Sequence, residues 1–152
     1  MYLFNRAKNY SVKLVGDELW AQVSLTDTAH EMVLEAKASL ADLTIIDVKA
    51  WMVRTPHTLC KDVEKRIQSL NGIPIKSGIT KIVQQKLGGP QGCYHLADLF
   101  LDMVKVIKQG KYSWVHHHYS PEERVHIFNQ ELKDTCYYYS RNREEQEGDL
   151  NA

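Results

Sequence analysis

Three stretches in the first third of the chain alternate apolar and polar residues with a period of two. In ELWAQVSLT, Leu19, Ala21, Val23 and Leu25 fall on one face, with Gln22, Ser24 and Thr26 on the other. EMVLEAKASL sets Met32, Leu34, Ala36, Ala38 and Leu40 against Glu31, Glu35 and Lys37, and IIDVKAWMV repeats the pattern with Ile46, Val48, Ala50 and Met52. Such alternation is the signature of strands with one buried face. Polar breaks at Gly16–Asp17, Asp27–Thr28 and Ala41–Asp42 predict an antiparallel meander, led by SVKLV.

The period then lengthens. TPHTLCKDVEKRIQSLNG predicts a helix with Thr55 as N-cap, Pro56 at its first position and a stop at Leu70-Asn71-Gly72; its stripe is Cys60, Val63, Ile67 and Leu70. GITKIVQQKLGG predicts a second helix with Ile79, Ile82, Val83 and Leu87 inward and Gly88 closing it. YHLADLFLDMVKVIKQG is the longest periodic run, with Leu96, Leu99, Phe100, Met103, Val104 and Ile107 at helical spacing. WVHHHYS reads as a connector, and SPEERVHIFNQEL opens a further helix through a Ser120/Glu123 capping box around Pro121. Strands first and helices afterwards define an α+β fold: a meander of three to four strands followed by about four helices packed on one face. Residues 1–140 group as one domain, and 141–152, without apolar periodicity, as a disordered tail.

Composition narrows the function classes. Lys plus Arg and Asp plus Glu both number 19, so no basic excess points to nucleic acid. No stretch approaches the roughly 18 apolar residues of a membrane span, and MYLFNRAKNY lacks the apolar core of a signal peptide. A cytoplasmic location is expected, with a protein partner or a homo-oligomer as the remaining associations. Three widely spaced cysteines, Cys60, Cys93 and Cys136, do not form a disulfide framework.

Candidate chemistry concentrates where elements begin or turn. Asp27 and His30 lie in the turn of LTDTAHEM, His57 and Cys60 share a helical face, and Cys93 and His95 open the long helix in GCYHLADL. In a compact domain these strand ends and helix starts can meet at one sheet edge. Thiolate, imidazole and carboxylate are the donors that zinc or an iron–sulfur cluster requires. The leading reading is metal binding without turnover, through Cys60, Cys93, His95 and one of His57, His30 or Asp27. An alternative buries the same residues as core and caps of a structural or interaction domain. A third makes Cys93 or Cys60 a nucleophile, His95, His57 or His30 its base and Asp27 the orienter. The triple histidine 116–118 is a compositional cue to metal only.

LTDTAHEM, MVRTPHTLC, LNGIPIKSGITKIVQQKLGG and GCYHLADL, in that order, resemble a bacterial family of uncharacterised proteins with a Gly-Cys-x-His-Leu motif, over roughly residues 10 to 108. The resemblance implies no activity. More distantly, the order of elements is similar to that of the iron–sulfur scaffold proteins of the NifU N-terminal type. That likeness implies a ligand role for Cys60 and Cys93, with His95 beside the last cysteine and Asp27 and His30 in the first ligand loop. The Asp27 loop carries no cysteine, and no Leu-Pro-Pro-Val-Lys precedes Cys93. A histidine-substituted site of this kind implies stable zinc, or a structural role, rather than a cluster to be handed on.

Overall fold

A computed structural model describes residues 1–141. The chain divides into two compact units, Met1–Tyr112 and Ser113–Ala152, where sequence reading groups 1–140 as one domain. The expected tail lies outside the described residues, apart from Arg141.

The first unit opens with the predicted meander. Strands β1 (Arg6–Val15), β2 (Glu18–Asp27), β3 (Glu31–Ser39) and β4 (Ile45–Arg54) form one antiparallel sheet in the order β1-β2-β3-β4. Gly16, at φ 62°, makes the first hairpin turn in a conformation that L side chains avoid. Apolar side chains of β2 and β3 bury one face as expected: Leu19, Val23 and Leu25 from the first, Met32, Leu34 and Ala38 from the second.

On β4 the expectation needs one correction. Ile45 is buried and Ile46 is 46% exposed. Lys37 pairs with Asp47 but Ala38 pairs with Ile45, so one extra residue enters β4 and reverses the alternation at its start. β1 is longer than SVKLV, and the side chains on its covered face are mostly polar. Lys8 Nζ donates to Asp98 at 2.7 Å and to Asp102 at 2.6 Å, and the Tyr10 hydroxyl donates to Asp102 at 3.1 Å. Burial opposes the Lys8 charge, but these two carboxylates outweigh it and raise its pKa.

The segment expected as the first helix is a 3-10 helix, Thr58–Leu70, preceded by His57 without a side-chain cap. Thr55 is therefore not its N-cap; its hydroxyl donates to the His57 carbonyl at 2.9 Å. The three-residue steps Cys60–Val63 and Ile67–Leu70 suit the threefold repeat of such a helix. Glu64 on this segment accepts the Met52 N–H at 2.7 Å, satisfying a donor on the outer edge of β4.

Helix α1 (Ile79–Leu87) buries Ile79, Val83 and Leu87 and ends at Gly88. Helix α2 (Tyr94–His118) buries Leu96, Leu99, Phe100, Met103 and Ile107 in the same core as the sheet. The two helices are joined by a tight reversal: the Cys93 N–H donates to the Leu87 carbonyl at 2.7 Å. A Cβ on Gly92 would lie 2.0 Å from that carbonyl oxygen. GGPQGC is thus a backbone return that sets where α2 begins.

α2 continues into the second unit, so WVHHH is helical and not a connector. In that unit α3 (Pro121–Glu131) starts at the predicted capping box. The Ser120 hydroxyl accepts the Glu123 N–H at 3.3 Å, and the Glu123 carboxylate accepts the Ser120 N–H at 2.9 Å.

Candidate metal centre

Hairpin geometry places the first site residue. Ten residues before Gly16 stands Arg6 and ten after Asp17 stands Asp27, and the register pairs them across β1 and β2. Asp27 continues the buried row of Leu19, Val23 and Leu25, so its carboxylate ends on the covered face with a side chain only 1% exposed. A carboxylate there must be fully paired.

It is. Oδ1 accepts the Ala29 N–H at 2.8 Å and the His30 N–H at 2.7 Å, closing the turn between β2 and β3. Oδ2 accepts from Arg6 Nη2 at 2.6 Å and Nε at 3.0 Å. Burial pushes the Asp27 pKa up, but the Arg6 and loop hydrogen bonds outweigh burial and hold it well below the usual carboxylate range. Arg54, at the end of β4, completes the loop by donating to the carbonyls of Asp27 at 2.7 Å, Thr28 at 2.8 Å and His30 at 3.2 Å.

His30 Nδ1 lies 3.1 Å from Asp27 Oδ1. Ionised Asp27 is acceptor only, so Nδ1 carries the proton and a neutral His30 keeps its lone pair on Nε2. His95, in the first turn of α2, brings its ring within 4.0 Å of the His30 ring, centroid to centroid, at a tilt of 39°. Burial lowers the His95 pKa first, and the charges of His30 and Arg6 add to it against the opposing pull of Asp27 and Asp98. His95 is therefore biased to the neutral imidazole that coordinates metal.

Among the described residues, Asp27, His30 and His95 form the group of histidine, cysteine and carboxylate side chains that could hold an ion. One ligand atom from each lies within 4.8 Å of the others. The remaining sequence candidates, Cys60, Cys93 and His57, are not in that group. Cys60 and Cys93 are half-buried against the core, and His57 is exposed. Sequence reasoning missed Arg6 and Arg54. The turn at Gly16–Asp17 could have revealed Arg6 by counting outward, whereas Arg54 needs the β3–β4 register with its shift.

The fold and the corner define an α+β domain with a buried carboxylate–imidazole cluster between a strand turn and a helix start. The chain belongs to the DUF2889 family, described as proteins of unknown function, which matches residues 8–109. No curated protein and no solved structure matches the chain. Within the described residues no helix is long and apolar enough to cross a membrane.

Proposed function

We propose that this chain binds a divalent transition-metal ion of the zinc class, without turnover, at the corner formed by Asp27, His30 and His95. The carrying observation is the approach of one ligand atom from each to within 4.8 Å of the other two. Two imidazoles and a carboxylate are a recurrent donor set for such ions. His30 Nδ1 faces the Asp27 carboxylate at 3.1 Å, so an ion held by both takes that nitrogen and releases its proton. The likeness of element order to the NifU N-terminal-type scaffolds would make an iron–sulfur cluster the other occupant. Nitrogen and oxygen donors nevertheless favour zinc over an iron–sulfur cluster, which takes thiolates. In this reading Cys60 and Cys93 pack the core.

An equilibrium zinc titration of untagged protein tests the proposal. One equivalent should bind, and binding should be lost in His30→Ala and His95→Ala. Equal uptake by both variants and wild type would remove the site.

A second reading has its own observation: every Asp27 acceptor position is filled by a protein donor. The corner would then be a structural lock on the β2–β3 turn. It predicts that chelators leave Tm unchanged and that no zinc binds at all.

A further inference from the structure

Asp27 has no lone pair to spare, so a metal ion that uses it must displace a donor. The two oxygens differ in what they can release. The donors to Oδ1 include the N–H groups of Ala29 and His30, which belong to the turn itself, at 2.8 and 2.7 Å. Losing them would unmake the loop that presents His30. Oδ2 is held by Arg6, a single side chain on an edge strand. The Arg6 side chain is 24% exposed against 1% for Asp27, so it has a path to water that the carboxylate lacks. Its guanidinium carbon lies 5.1 Å from the ring centre of Phe4, which is itself 59% exposed.

We infer that Arg6 is the resident counter-ion of this corner and that a divalent metal binds by exchange with it. The inference rests on the metal-binding reading above. The ion takes Asp27 Oδ2 together with His30 Nδ1, whose proton passes to solvent, and a ring nitrogen of His95, and the Arg6 guanidinium turns out to solvent beside Phe4. A buried carboxylate is thereby never left without a cation, whether or not metal is present. The arrangement also sets a threshold. Metal must outcompete a charge-assisted pair in which two Arg6 N–H groups converge on Oδ2, so ions that bind the imidazoles weakly are excluded, and Arg6 acts as a selectivity residue without touching the metal.

The test compares zinc affinity in wild type, Arg6→Gln and Arg6→Lys, measured by competition with a chromogenic chelator. Removing the competitor should tighten binding by about tenfold or more, the equivalent of one charge-assisted hydrogen bond. Arg6→Lys, which keeps a cation but not the fork, should fall between. Unchanged or weaker binding in Arg6→Gln, with wild type still binding, overturns the exchange and makes Arg6 a positioning residue for Asp27. No binding in any of the three overturns the metal reading together with the exchange. A wild-type readout guards against a variant that misfolds: the Arg6 Nε–H resonance should lose its hydrogen-bonded shift when zinc is added. A shift that persists in the zinc-loaded protein contradicts the proposal.

Discussion

His30 and His95 come from a strand turn and a helix start far apart in sequence, yet their ring centroids lie 4.0 Å apart. Two imidazoles at this distance repel when both are protonated. Burial and the neighbouring charges of His30 and Arg6 accordingly keep the His95 pKa below its ordinary value of 6.5. The unfolded chain then binds that proton more readily than the folded one. The stability from His95 is complete above its unfolded pKa and is lost as pH falls through the depressed folded value. In an NMR titration of the metal-free protein, His95 should titrate below the ordinary histidine range, and His30→Ala should move it upward. An unshifted His95 in wild type would argue against the packed pair.

Asp27 carries the corresponding acid dependence. Its pKa is lower folded than unfolded, so the ionised form stabilises the fold above the unfolded value of about 4. That stability drains away as pH drops towards the lowered folded pKa. Asp27→Asn should cost about 2–3 kcal/mol at pH 7, because Arg6 loses its partner and the turn loses its best acceptor. The variant should also be less sensitive to acid below pH 4, by about the range of one carboxylate. Parallel urea melts of both proteins at several pH values measure this. Curves that stay parallel down to the lowest pH would contradict the assignment.

Gly92 decides where His95 sits. A Cβ there would lie 2.0 Å from the Leu87 carbonyl oxygen, with backbone on all the nearest sides and no flexible chain to yield. Gly92→Ala should therefore cost about 3 kcal/mol or more and weaken zinc binding by displacing the start of α2. A Tm within a degree or two of wild type would show that the reversal can open without strain.

The cysteines give a contrasting expectation. Cys60 and Cys93 pack against the core as half-buried side chains, so Cys60→Ala and Cys93→Ala should each cost about 1–2 kcal/mol. Zinc binding should survive both changes. Loss of zinc in Cys93→Ala with folding intact would restore a thiolate to the ligand set.

Much of the meander was legible because alternation and turn residues act locally. Leu19 to Leu25 and Met32 to Ala38 follow the pleat, and Gly16 fixes the first hairpin. Ile46 was misplaced because the extra residue in β4 changes which side chains face the core without changing composition. His57 and Cys60 read as one helical face, but the segment winds as a 3-10 helix, whose bonding sequence periodicity does not distinguish at that length. Asp27, His30 and His95 were visible as residues at element ends. Their meeting depends on how α2 lies across the sheet, and that is set by long-range packing of Phe100, Met103 and their neighbours. Thiols drew attention in the sequence because of their chemistry, whereas burial ties Cys60 and Cys93 to the core.

The most direct test of the central claim is the zinc content of untagged protein purified without a nickel column. Wild type would be compared with His95→Ala and with the combined His116→Ala, His117→Ala and His118→Ala variant. The account predicts one zinc per chain in wild type and in the triple variant, and none in His95→Ala. Zinc lost only with the triple variant, or present in all three proteins alike, would contradict it.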